Sequence, residues 1–80
     1  MKTKIVAVKD LALGEYLPVF QVPATPLAVR QFGDEVKSPD SPLSKHPEDY
    51  ELWLLAELDT EHGTFDDSIG TRLARALDFV

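Results

Sequence analysis

One stretch constrains the fold more than any other: the run from Lys45 to Phe65, and within it the alternation from Tyr50 to Leu58. Tyr50, Leu52, Leu54, Ala56 and Leu58 form one alternate set, and Glu51, Trp53, Leu55, Glu57 and Asp59 the other. One apolar face and one mixed face at period two is the signature of a half-buried strand. At about 3.3 Å per residue such a strand runs roughly 30 Å, long for a small domain. Leu, Ala and Glu also favour helix, but the strict alternation outweighs that propensity. Asp59-Thr60-Glu61-His62-Gly63 then supplies turn chemistry, with a late glycine suited to positive φ, and Thr64-Phe65 begins a return strand. Trp53 and Leu55 on the second face call for a cover, either a helix or another chain.

The remainder reads as a single α+β domain over residues 1–80, with a small, mostly antiparallel sheet and one central helix packed on it. Thr3 to Asp10 is a first strand whose Ile5-Val6-Ala7-Val8 run suits a central position buried on both faces. Leu11 to Tyr16, with Gly14, is a connection. Leu17 to Val22 is extended, and Pro18 and Pro23 confine it to an edge or a loop. Thr25-Pro26 opens the helix, with Thr as N-cap and Pro in the first turn. Ala28, Val29, Phe32 and Val36 share one stripe, while Arg30 and Asp34 stand four apart on the exposed side. Gly33 weakens the middle by about 1 kcal/mol relative to Ala. The helix ends near Lys37, before Pro39. Ser38 to Pro47 is a loop. Asp66-Asp67-Ser68 caps a last helix with Ile69, Leu73, Ala76, Leu77 and Val80 on one stripe, a short strand being the alternative. No internal repeat is evident. The expected core is Ile5, Val6, Val8, Phe20, Val29, Phe32, Val36, Leu52, Leu54, Leu58 and Phe65.

Eighty residues without cysteine leave a marginal core and no disulfide or thiolate chemistry. A homo-oligomer, most simply a two-fold dimer, is the expected way to bury more. No apolar run reaches the roughly 20 residues of a membrane span, and Lys9-Asp10 end the N-terminal apolar run too early for a signal peptide.

The chemistry-bearing residues form no catalytic constellation. His46 and His62 sit among acids without the converging spacing a metal demands. The carboxylate pairs read as solvated surface, and the four glycines are dispersed, so there is no phosphate loop. The expectation is a noncatalytic protein with no cofactor and no metal. A net charge of −6 opposes salt-driven binding to a phosphate backbone. Direct single-strand binding would require Lys2, Lys4, Lys9, Arg30, Arg72 or Arg75 to gather beside an aromatic such as Trp53.

His46-Pro47-Glu48-Asp49-Tyr50-Glu51-Leu52, then Glu57-Leu58-Asp59 and Gly63-Thr64-Phe65, resemble the small nonstructural protein of gokushovirus-type microviruses (Microviridae), bacteriophages with single-stranded DNA genomes. Ala28-Val29-Arg30-Gln31-Phe32, Asp34-Glu35-Val36 and the Lys4-to-Asp10 strand resemble that family in the same order. The resemblance implies a protein of the infected host's bacterial cytoplasm. It would regulate genome replication or packaging through contacts with phage replication or procapsid proteins, with direct binding of single-stranded DNA as the alternative. The residues singled out for partner or nucleic-acid contact are Arg30, Lys4, Lys9, Arg72, Arg75 and Trp53. Within the family's helix, Arg30 is the residue suited to a phosphate or carboxylate.

Overall fold

A computed structural model describes residues 1–68 and 70–80. Two long strands, β1 (Lys2–Asp10) and β4 (Tyr50–Asp59), pair antiparallel along their whole length and form the middle of the sheet. Each outer row is broken in two. Beside β1 lie β2 (Glu15–Tyr16) and β3 (Phe20–Val22); beside β4 lie β5 (Thr64–Asp66) and β6 (Thr71–Arg75). All pairings are antiparallel. Helix α1 (Thr25–Lys37) crosses one face, followed by a one-turn helix α2 (Pro42–Lys45) and a 3₁₀ turn (Pro47–Asp49) that leads into β4.

The two halves of the sheet begin with the same turn. In Asp10-Leu11-Ala12-Leu13-Gly14, the Asp10 carboxylate accepts the N–H groups of Ala12 and Leu13, and Gly14 N–H donates to the Asp10 carbonyl. In Asp59-Thr60-Glu61-His62-Gly63, Asp59 accepts from Glu61 and His62, and Gly63 donates to the Asp59 carbonyl. Both glycines have positive φ, 72° and 67°, which a side chain would strain. An Asp-x-x-x-Gly turn followed by a broken return strand is thus a structural repeat, although no repeat is evident in the sequence.

Directly opposed residues of an antiparallel pair share a face. Val6 faces Leu54 and Val8 faces Leu52, and these four meet the Ala28, Phe32 and Val36 stripe of α1 in the core. The next pair is Ile5 with Ala56, so Leu55 is an extra residue on β4. A bulge of one residue reverses which side every later residue points to. Ala56 and Leu58 therefore lie on the face away from α1, with Ile5, Ala7 and Trp53. Burial agrees: Ala7 and Ala56 are 0% and 8% exposed, yet neither belongs to the core beneath the helix. The strict alternation expected through Leu58 is corrected accordingly.

The α+β class, the helix span and the edge position of Phe20–Val22 follow the sequence expectations. Thr25, however, is the first helical residue; the cap is Ala24, with no side-chain hydrogen bond. The 38–47 loop contains α2, capped by the Ser41 hydroxyl, which accepts from Leu43 N–H at 3.1 Å, and Leu43 enters the core. Of the two readings of the C-terminal segment, the strand is the one found: β6 at Thr71–Arg75, followed by a 3₁₀ turn at Ala76–Phe79 in place of the helix. Of that helix's stripe, Ile69 lies outside the described residues. Pairing with β4 wins over helix because it places Ala74 opposite Leu52. Of the expected core, Phe20 is 37% exposed at the edge of the α1 side, and Phe65 is 66% exposed because it lies opposite Leu58 on the face away from α1. Ile5 and Leu58 are half-buried on the opposite face. Val22, Ala28, Leu43, Ala74 and Ala76 complete the core.

Gly33 has a packing role. The Phe79 ring meets Phe32 edge-on at 6.0 Å, and a Cβ on Gly33 would approach that ring to 2.8 Å. Ala at this position should gain about 1 kcal/mol of helix propensity and lose about 1–3 kcal/mol to overpacking. Gly33→Ala is expected to lower the urea midpoint. In a Phe79→Ala background the same substitution should raise it, because only the propensity gain remains.

Candidate functional site

With α1, α2 and the C-terminal turn all on one side, the other face of the sheet is open within the chain. Its side chains follow from the register. One transverse row runs Tyr16, Lys9, Glu51, Arg75 across β2, β1, β4 and β6. The next row is Ala7, Trp53, Arg72. Beyond the Leu55 bulge come Gln21, Ile5 and Ala56, then Thr3, Leu58 and Phe65, with Gln21 Nε2–H donating to Thr3 Oγ1 at 2.7 Å along the β3 edge. The face thus has two halves, one aromatic and charged, the other apolar.

The aromatic half is tightly organised. Tyr16 and Trp53 meet at right angles with centroids 6.4 Å apart. Lys9 Nζ lies 5.4 Å from the Tyr16 ring centre and 5.7 Å from that of Trp53, within cation–π range of both. Trp53 Nε1–H donates to Glu51 Oε1 at 3.1 Å, and Arg72 donates to Glu51 Oε2 at 3.2 Å. Glu51, with a side chain only 14% exposed, therefore fixes the indole edge and anchors Arg72. Ala7 opposite Trp53 is fully buried by larger neighbours on this face. Arg75 Nη2 donates to Asp78 at 3.0 Å. Asp78 lies below the ordinary carboxylate pKa, mainly because the Arg75 backbone N–H donates to it and then because the guanidinium does.

Of the residues singled out from sequence, Lys9, Trp53, Arg72 and Arg75 come together here. Lys4 does not: it pairs with Glu57 at 3.3 Å on the opposite face, toward the other end of the strands. Arg30 is exposed on α1, beside a shallow apolar groove formed by Ala24, Pro26 and Leu27. Lys2 lies near Asp59 and Phe65 at the far end of β1. Tyr16 was missed by sequence reading because it belongs to a two-residue strand. The signal for it was the turn shared by Asp10–Gly14 and Asp59–Gly63, which fixes the hairpin register and places Tyr16 opposite Lys9.

The two histidines each sit in a small polar group, His46 with Glu48 and Asp49, and His62 with Asp59 and Glu61. Both groups shape turns. His46 accompanies the 3₁₀ turn whose Asp49 carbonyl accepts Leu11 N–H at 2.7 Å, joining the two halves of the sheet. Tyr50, next in line, packs its ring against the core, and burial with nearby Asp10 and Asp49 raises its pKa. His62 Nδ1 lies 3.0 Å from Asp59 Oδ2 within its turn. No helix is long and apolar enough to cross a membrane among the described residues.

Fold and face together define a small α+β protein with a one-sided helix layer and a sheet face that no helix covers. The family model described as "Phage ORF5 protein" matches residues 3–79, and the chain belongs to that family of phage proteins. No curated protein matches. No solved structure matches either.

The Asp59 turn gives a pH test. His62 hydrogen-bonds the carboxylate first, and the Glu61 and His62 backbone N–H groups add to it, so its pKa lies below the ordinary 3.8. The folded value is lower than the unfolded one, so this contribution is present above pH about 4 and is lost as pH falls through the folded value. Asp59→Asn retains a turn acceptor but no titration. Urea midpoints from pH 5 to pH 2 should fall less steeply for this variant than for the parent.

Proposed function

We propose that the protein is a noncatalytic phage factor that regulates replication or packaging of a single-stranded DNA genome by binding other phage proteins through the apolar half of its open sheet face. The observation that supports this most directly is the row of Ile5, Leu58 and Phe65 on the face away from α1, Ile5 and Leu58 half-buried and Phe65 66% exposed. Apolar groups concentrated on one uncovered face mark interaction surfaces. The partners are the replication or procapsid proteins of the same phage. A two-fold dimer is the arrangement of the free protein, with copies meeting through the same apolar half.

Tagged protein from infected cells is expected to co-purify the phage replication initiator or a procapsid protein, identified by mass spectrometry. Leu58→Glu should abolish that capture while circular dichroism stays unchanged. Recovery of neither protein would refute the partner assignment. Sedimentation at tens of micromolar is expected to give a dimer mass for the parent and a monomer mass for Leu58→Glu. A monomeric parent would refute the dimer without touching the partner assignment.

A further inference from the structure

The aromatic half of the open face has a chemistry of its own, distinct from the apolar half. We propose that Tyr16, Trp53, Lys9 and Arg72 form a stacking site for single-stranded nucleic acid. The inference stands apart from the proposed protein contacts, since it uses different residues and a different ligand.

Three observations carry it. The aromatic pair is built on strands rather than loops, and Glu51 fixes the indole edge at 3.1 Å, so the ring is held in place before any ligand arrives. Rings fixed on an open sheet face offer sequence-tolerant stacking to unpaired bases. The cations of the face also cluster at this end. Lys9 sits between the two rings, within reach of both, and Arg72 and Arg75 follow on the β6 side, opposite Trp53 and Glu51 respectively, Arg75 being shared with Asp78. A backbone crossing the rows would thus meet positive charge between the rings and again beyond Trp53. Finally, this end of the face is open at both flanks, with Tyr16 43% exposed and the Arg72 side chain 50% exposed, and Trp53 half-buried between them. A duplex cannot offer unstacked bases to such rings, so the ligand is a single strand. A protein partner would gain less from this half, where Glu51 is already satisfied by Trp53 and Arg72.

The acidic chain limits the affinity. With a net charge of −6 overall and Glu51 at the centre of the site, binding should be modest and sensitive to salt. The same carboxylate provides a sharp test. Glu51→Gln retains a side-chain oxygen to accept from Trp53 Nε1–H and removes the negative charge beneath the bound phosphates.

Trp53 is the sole tryptophan, so its emission reports on the site directly. Oligo-dT is titrated into the full-length protein at low and moderate salt, following both Trp53 emission and the anisotropy of a labelled strand. The expected result is quenching on binding, with an affinity that falls as salt rises and a logarithmic slope of about 2 for three phosphate contacts. Tyr16→Leu should weaken binding about tenfold or more, within the range for loss of one stacking partner, and Lys9→Met should weaken it and lower the logarithmic salt slope by about 0.7, the share of one phosphate contact. Glu51→Gln should tighten it several-fold. Absence of quenching at low salt would overturn the proposal. So would binding that survives both Tyr16→Leu and Lys9→Met, or affinity unchanged by Glu51→Gln. Leu58→Glu separates the two assignments: it should remove partner capture and leave oligonucleotide quenching intact. If it removes both, the aromatic half is not an independent site.

Discussion

The pairing of β1 with β4 is the constraint on which everything else depends. It runs from Lys2 opposite Asp59 to Asp10 opposite Tyr50, and every other element is placed by reference to it. The pair supplies the core positions Val6, Val8, Leu52 and Leu54, over which α1 lays its stripe. Its outer edges receive the broken return strands, and its one irregularity, at Leu55, divides the open face into two halves. Without the bulge, Ala56 and Leu58 would continue the core row, and the outer face would carry a smaller apolar area. The bulge therefore divides the apolar residues of the strand between a core on one side and the helix-free face on the other.

Much of this was legible in the sequence, and the failures have identifiable causes. The two long strands, the helix from Thr25 to Lys37 and the edge strand at Phe20 were readable because periodicity and proline act locally. The phase after Leu55 was not. Leu54-Leu55-Ala56 is continuously apolar, and such a run carries no mark of where a bulge falls. The C-terminal segment showed a helical stripe of Leu73, Ala76 and Leu77, but the ladder of β4 was available beside it. Pairing with that ladder outweighed a weak local preference, as tertiary context often does.

The site was legible in part. Trp53 stood out because an aromatic on the second face of a strand needs an explanation, and Lys9, Arg72 and Arg75 were named as cations that would matter only if gathered. The fold gathers these three and leaves Lys4 and Arg30 elsewhere. Lys4 is drawn off by Glu57, its cross-strand neighbour. Arg30 stays on the helix, a full layer away from the open face. Tyr16 could be placed only through the register of a hairpin whose return strand is two residues long. Glu51, one of the charged residues on the second face of the strand, is the group that positions Trp53 and Arg72, so one carboxylate both orders this cluster and limits its positive charge.

The paired Asp-x-x-x-Gly turns bear on how the chain assembles. Each turn closes a short loop, so each half of the sheet is a local unit whose closure costs little entropy. The β1–β4 ladder is the long-range event, bridging residues as far apart in sequence as Lys2 and Asp59. Non-local pairing of this kind sets the pace of folding. During synthesis the first hairpin emerges with the β4-facing edge of β1 bare, and it stays bare until β4 follows α1 and α2 out of the ribosome. That exposed edge carries Lys2, Lys4 and Lys9 at intervals along it, and charged side chains on an unpaired edge discourage the wrong strand from adding there. The lysines of β1 thus serve the unfinished chain as guards before two of them take up their places beside Glu57 and Trp53.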